Sequence, residues 1–148
     1  MRKVLLTVLL ALVAFVPLAS AQNEQYFFNG DNAEKAFTCT KTAAVDVTSA
    51  ATDVVIARAN APQVIRICSL FVSGDTTATT ATLSYGTGTT CGTGNVVLSG
   101  GIRFVDETGY FLPAPAGVSL MRVPAGQDFC IAAATGAVTG FVSYAVFQ

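Results

Sequence analysis

The sequence predicts an all-β fold, a β-sandwich or jelly roll of about eight to nine antiparallel strands. Two observations lead to this prediction. After residue 21, no segment repeats apolar residues at positions i, i+3 and i+4 over three helical turns. Short runs rich in Val, Ile, Thr and aromatic residues instead recur between Gly, Pro, Asp and Asn residues, which is typical of strands joined by turns.

The strand pattern is clearest where apolar and hydroxyl residues alternate. In the segment 80–85, alternation predicts that Ala81, Leu83 and Tyr85 face the core while the hydroxyl groups face water. The predicted strands, in chain order, are Val45–Thr48, Thr52–Arg58, Gln63–Ser73, Thr79–Tyr85, Val96–Leu98, Gly109–Leu112, Val118–Val123, Phe129–Ala134 and Thr139–Phe147.

Two of these strands, Gln63–Ser73 and Thr139–Phe147, are apolar on both faces. Such strands lie centrally under a second layer or at a subunit interface, and the sequence leaves both explanations open. Under the second explanation, the candidate contact surface is Val142, Tyr144 and Val146. Strict alternation divides the apolar side chains of each strand between two faces. In Gln63–Ser73, one face carries Val64, Cys68, Leu70 and Val72 and the other Ile65, Ile67 and Phe71. In Thr139–Phe147, one face carries Val142, Tyr144 and Val146 and the other Phe141, Ala145 and Phe147.

The chain begins with the pattern of an export signal. Arg2 and Lys3 precede an apolar run, Val4–Leu18, and the small residues Ala19-Ser20-Ala21 form a cleavage site. The predicted organisation is a signal peptide at 1–21, an N-terminal arm at 22–38, either a short helical turn or extended, and one β-sandwich domain at 39–148. We therefore expect a secreted, periplasmic or cell-surface protein with no membrane attachment after cleavage, starting at Gln22.

The four cysteines are predicted to form two structural disulfides, because an exported chain is oxidised. Three pairings are possible, and spacing alone does not choose between them. We predict Cys39–Cys68 and Cys91–Cys130, because each bond joins an early or loop cysteine to one in a predicted strand. A C-x-x-C pair is missing from the sequence, and so is histidine, so neither a redox motif nor an ordinary zinc site is indicated.

Composition argues against several classes of function. The mature chain has six basic residues against nine acidic ones, and the basic residues are scattered, so a nucleic-acid partner is not expected. Lack of histidine removes the commonest general base, and no G-x-S-x-G motif is present. Only Asp106 and Glu107 adjoin as acids, and a strand would point them to opposite faces. The sequence therefore predicts no enzyme activity.

No cofactor is predicted either. The glycine-rich segment Gly86–Gly94 lacks the lysine and the following helix of a phosphate-binding loop, and we interpret it as a connection that Cys91 fixes in place. Asp31 and Asn32 are too few oxygen ligands for calcium. Charged residues make up only 11% of the sequence, and an assembled protein hides such a weakly charged surface against further subunits.

Several segments resemble a family of small β-sandwich proteins from tailed phages and environmental bacteria. The likeness covers most of the mature chain and is carried by Cys39–Ala43, Val64–Leu70, Leu83–Gly94, Pro124–Cys130 and Gly140–Phe147, with the core Y-G-T-G-T-x-C-G-T-G at 85–94. This resemblance implies a virion or surface component without catalytic residues. Virion proteins are assembled in the cytoplasm, so the export signal favours a cell-surface location over the phage particle.

The sequence as a whole predicts an exported, non-catalytic structural or binding module at a cell or virion surface that assembles with itself or with other surface or virion proteins. Two alternatives remain. One is a chaperone–usher fimbrial subunit or adhesin. Such subunits end in a strand with a penultimate aromatic residue, and Phe147 before Gln148 resembles that ending, although the segment 22–37 lacks the apolar alternation of a donor strand. The other is a small secreted carbohydrate-active enzyme. Lack of tryptophan argues against a glycan-binding platform and favours the structural class.

Overall fold

The fold is known from a computed structural model, which describes residues 26–29, 32–35, 37–58, 62–75, 77–105, 107–115 and 117–147. The chain in these ranges forms β-strands and no helix, which confirms the predicted all-β class. The strands are β1 (Tyr26–Asn29), β2 (Asn32–Lys35), β3 (Lys41–Val47), β4 (Thr52–Ile56), β5 (Val64–Gly74), β6 (Thr79–Thr87), β7 (Thr93–Val97), β8 (Ile102–Phe104), β9 (Gly109–Pro113), β10 (Met121–Val123), β11 (Asp128–Ala133) and β12 (Val138–Phe147).

Ten of these strands form two antiparallel five-stranded sheets that pack as a sandwich. The front sheet has the order β10-β5-β12-β3, and β9 lies beside β5 on the same edge as β10. The back sheet has the order β4-β11-β6-β7, and β8 lies beside β6 on the same edge as β7. Since β3 contacts β4 at one flank, the edge strands β9 and β10 lie on the same flank as β7 and β8. The strands β1 and β2 form a separate two-stranded hairpin.

Each of the nine predicted strands overlaps an observed one, while β1, β2 and β8 were not predicted. The hairpin β1–β2 falls in the arm whose conformation the sequence left open. Strand β8 is only three residues long, with Arg103 at its centre, so it is too short to display a period. The predicted signal peptide lies outside the described residues. Among the residues that are described, no helix has the length and apolar character needed to cross a membrane.

One core lies between the two sheets. Its buried side chains are Val45, Val47, Ile56, Ile65, Ile67, Leu70, Val72, Ala81, Leu83, Phe104, Val123, Phe129, Ile131, Ala133, Val138 and Val142. Ala81 and Leu83 are buried as predicted, and Tyr85 is half-buried against the same cluster. The prediction that the hydroxyls of this strand all face water is wrong for Ser84, which is buried and accepts a hydrogen bond from the Asn95 amide at 3.3 Å.

The predicted division of β5 into two faces is wrong, because the strand contains a bulge at Cys68. On β12, the consecutive residues Ser143 and Tyr144 pair with Ser69 and Ile67, so that Cys68 is the extra residue. An extra residue reverses the alternation that follows it. The core face of β5 therefore consists of Ile65 and Ile67 before the bulge and Leu70 and Val72 after it, and Phe71 points outward.

On β12 the alternation is regular, and Val142, Tyr144 and Val146 lie on the face that meets the core. Val142 is fully buried within the core cluster, and Tyr144 packs against that cluster. Val146 pairs with the buried Ile65 and is half-buried. The hypothesis that Val142 lies at a subunit contact is therefore wrong. This face of β12 is apolar because it packs into the core of the domain itself. The outward face of this strand carries Phe141 instead.

Candidate contact surface

Three phenylalanines form a row across the outer face of the front sheet. Phe111 on β9 is in register with Phe71 on β5, and Phe71 is in register with Phe141 on β12. Phe111 is 56% exposed and Phe141 is 46% exposed, although both are large apolar side chains. The rings of Phe71 and Phe141 stack with centroids 5.5 Å apart and planes inclined by 28°. We call Phe71, Phe111 and Phe141 the aromatic row.

The strand positions around the aromatic row are small and almost uncharged. On one side the row of Pro113, Ser69, Ser143 and Thr42 crosses the sheet, and on the other the row of Gly109, Ser73, Thr139 and Asp46. Ser69 and Ser143 share a hydrogen bond of 2.6 Å between their hydroxyl oxygens. Of these positions only Asp46, on the far edge strand β3, carries a charge, so the aromatic row is bordered by small and hydroxyl-bearing residues.

The other half of the same face is covered by the chain's own segment 37–40. The Phe37 ring meets the Phe147 ring edge-on at 5.3 Å, and the Arg66 guanidinium lies 6.0 Å from the centre of the Phe37 ring. The disulfide between Cys39 and Cys68 holds this segment on the sheet. Ala145 is therefore buried although it points away from the core. The exposed phenylalanines of this face thus lie in the half of the sheet that segment 37–40 leaves uncovered.

A groove of about 260 Å³ separates the segment 37–40 from the connection between β9 and β10. Its described lining consists of Phe37, Thr38, Cys39, Cys68, Ala114, Pro115, Gly117 and Val118. Apart from the two cysteines, which are bonded to each other, these residues carry no ionisable side chain. The described lining therefore offers mainly apolar contact, with the Thr38 hydroxyl as its one polar side chain outside the disulfide.

Both predicted disulfides are confirmed, and they differ in their surroundings. Cys91 and Cys130 are fully buried at the β6–β7 end of the back sheet. Cys39 and Cys68 are half-buried and line the groove. In both pairs the Cα atoms are 6.3 Å apart, within the usual range of a disulfide. No cysteine of the described chain is free.

We expect mild reduction of the native protein to open Cys39–Cys68 before Cys91–Cys130, because a reductant reaches the half-buried pair without local unfolding. Partial reduction followed by alkylation and peptide mapping measures this order. Reduction in concentrated urea is the control, in which all four thiols should react. Equal labelling of the two pairs in the native protein would contradict the prediction.

The glycine-rich segment is a tight connection between β6 and β7, in agreement with its interpretation from the sequence. Gly88 and Gly94 have positive φ angles of 87° and 62°. A Cβ atom at Gly86 would lie 2.6 Å from the Cys91 carbonyl oxygen, so only glycine fits against this turn. The same carbonyl oxygen accepts a hydrogen bond of 3.1 Å from the Asn95 amide. These contacts hold the segment in place by backbone packing and the buried Cys91.

Among the residues that the structure describes, the acidic side chains do not cluster into a recognisable active site. Asp128 is buried and accepts the backbone N–H of Arg58 at 2.7 Å, which fastens the chain after β4 to the start of β11. The two Asp75 oxygens accept backbone N–H groups of Thr77 and Ala137 at 2.9 and 3.2 Å. Glu107 is exposed in a turn, and its neighbour Asp106 lies outside the described residues. Within those residues, no group of three His, Cys, Asp or Glu could hold a metal ion.

Comparison of the chain with protein-family models, with curated proteins and with solved structures finds no match. The resemblance to phage-associated and environmental bacterial proteins therefore stays a prediction. The aromatic row was not predicted as a site. Its members lie 40 and 30 residues apart in sequence, and only the strand register places them side by side. The signal that pointed toward them was the two-sided apolar pattern of β5 and β12.

Proposed function

We propose that the protein is an exported, non-catalytic structural module that assembles with further copies of itself at a cell or virion surface, using the aromatic row for contact. The observation that carries this proposal is the exposure of Phe111 and Phe141 among neighbouring positions with almost no charge. Burying one phenylalanine side chain contributes about 1.5–3 kcal/mol of favourable free energy, so burial of the aromatic row in an interface would stabilise the assembly.

The orientation of the rings favours a protein contact over a glycan. Glycans stack on the faces of aromatic rings that lie open to solvent. In the aromatic row, the rings of Phe71 and Phe141 are already stacked on each other, which occupies part of the ring surface that a sugar would need. Exposed phenylalanine rings among small side chains suit an apolar protein surface, as at the buried centre of a subunit interface.

Two features support export. The two disulfides, one of them fully buried, are typical of proteins that fold in an oxidising compartment. The charged amino terminus, apolar run and small-residue site of 1–21 supply the signal. Sequencing the amino terminus of the exported protein tests this part, and material that retains residues 1–21 would contradict it.

Loss of the exposed rings is expected to weaken assembly. In the double variant Phe111→Ser and Phe141→Ser, the association constant should fall at least about tenfold, since the change removes two apolar anchors per copy. Sedimentation of the exported protein over a range of concentrations measures it, with circular dichroism to confirm the fold.

Val96→Ser is the matched control, because Val96 is 44% exposed on the back sheet. This variant should assemble like the wild type. A wild-type protein that stays monomeric at every concentration would refute self-assembly. A double variant that assembles as well as the wild type would refute the role of the aromatic row.

A further inference from the structure

Strand β9 is an edge strand whose outer side is unpaired within the described residues, where β5 is its one partner. The backbone N–H of Ala114 donates to the Cys68 carbonyl at 2.8 Å, and the Thr108 carbonyl accepts from the Gly74 N–H at 3.2 Å. Backbone groups alternate along a strand. Residues 108, 110, 112 and 114 therefore bond toward β5, and residues 109, 111 and 113 direct their backbone groups to the free edge.

The free edge of β9 is self-complementary. Gly109 and Phe111 each present an N–H and a carbonyl there, whereas Pro113 presents a carbonyl and has no N–H to give. Phe111 is the central residue of the five, so a twofold axis beside it places Gly109 of one copy opposite Pro113 of the other. In this arrangement the two Phe111 residues exchange two hydrogen bonds, and each Gly109 N–H donates to a Pro113 carbonyl.

The other edge strands are less suited to such pairing. Strand β3 carries the exposed charged residues Lys41 and Asp46, and charges on an edge strand oppose pairing with another sheet. Strand β4 contains Asp53. Strand β7 is interrupted by a register shift and by the positive φ of Gly94, which bend the edge. Strand β9 has no charged side chain and no bulge against β5.

We propose that two copies of this chain pair antiparallel through β9, about a twofold axis at Phe111, to form one continuous front sheet. The strand order then runs β3-β12-β5-β9 and onward through β9-β5-β12-β3 of the second copy. A twofold axis perpendicular to the sheet keeps both outer faces on the same side. The two aromatic rows therefore join end to end, with Phe111 beside Phe111 of the second copy.

This register also explains the exposure of Phe111. A shift that places Phe111 opposite Gly109 of the second copy would keep hydrogen bonds but would pair each ring with a residue that has no side chain. The register centred on Phe111 uses the whole strand and gives each ring an aromatic neighbour across the new strand pair. The inference rests on the proposed self-assembly and specifies its geometry.

A single cysteine tests this geometry, because all native cysteines of the described domain are already paired. Directly opposed residues in a hydrogen-bonded antiparallel pair have Cα atoms about 5.5 Å apart, within the range that a disulfide spans. Under mild oxidation with copper phenanthroline, exported Phe111→Cys protein should form a covalent dimer. The fraction of covalent dimer, followed over time by mass without reductant at several protein concentrations, gives the cross-linking rate.

Phe141→Cys is the matched control, since Phe141 is a comparably exposed phenylalanine in the same row. With β9 paired, the two copies of residue 141 are about five strand spacings, or about 24 Å, apart. Phe111→Cys should therefore cross-link at least about tenfold faster than Phe141→Cys, because only its thiols are held together.

Equal rates for the two variants, in a wild-type protein that self-associates, would overturn edge pairing while leaving the assembly proposal standing. Front sheets stacked face to face about a twofold axis along the aromatic row would give that result, since they hold Cα atoms about 10 Å apart at both positions. A monomeric wild type would overturn both proposals. Circular dichroism on both variants establishes that they are folded, as the exposure of the two side chains leads us to expect.

Discussion

The Val142→Asp variant is expected to lose the β-sandwich. Val142 is fully buried in the core, on a central strand between β5 and β3. The substitution removes a packed apolar side chain and buries a carboxylate without a partner, which costs several kcal/mol in proteins even after relaxation. Since a domain of this size is stable by about 5–15 kcal/mol in all, the folded state should be largely depopulated. Far-ultraviolet circular dichroism and urea titration measure the loss.

The neighbouring Phe141→Asp variant is the control for position. Phe141 lies one residue away on the same strand but on the outer face, with 46% of its surface exposed. An aspartate there stays in water, so the sandwich should remain folded while assembly weakens. A folded Val142→Asp protein with the urea midpoint of the wild type would contradict the assignment of Val142 to the core.

The second large effect is expected at Gly140, which faces the middle of β5. Its φ angle of 153° lies in a region that glycine occupies almost alone. A Cβ atom there would lie 2.9 Å from the Phe71 carbonyl carbon and 3.0 Å from the Val72 Cα, and closer still to the Phe71 carbonyl oxygen. These are backbone atoms of the paired strand, so relief requires the β5–β12 ladder to open. Gly140→Ala should lower the free energy of unfolding by about 3–5 kcal/mol.

Gly100→Ala is the matched control, because Gly100 has a negative φ and no atom within 4 Å of the added methyl group. Its free energy of unfolding should change by no more than about 0.5 kcal/mol. Urea titration of both variants makes the comparison. If Gly140→Ala unfolds within about 1 kcal/mol of the wild type, the close approach of β12 to β5 at this point is incorrect.

The sequence predicts the strands of this fold better than the faces they present. Alternation in 80–85 correctly places Ala81 and Leu83 in the core, because a strand without irregularities keeps a period of two. In β5 the same rule fails after Cys68, since a bulge depends on the neighbouring strand and leaves no mark in local composition. Pairing with β12 likewise extends β3 back to Lys41, where the residues themselves are polar.

The candidate surface shows the same limit. Cysteine content and the export pattern were enough to predict two structural disulfides, and both predicted pairs are present. The aromatic row depends on long-range register, because Phe71, Phe111 and Phe141 come from three different strands. The sequence indicated that β12 was apolar on both sides. It could not indicate that the side with Val142 meets the core and the side with Phe141 meets the solvent.

The bulge at Cys68 also ties the Cys39–Cys68 disulfide to the register of β5. A slip of one residue between β5 and β12 would turn every following side chain of β5 to the opposite face. Cys68 would then point away from the segment that carries Cys39, and the two sulfurs could not meet. The Cys39–Cys68 bond is therefore compatible with the observed register of β5 and not with one shifted by a residue.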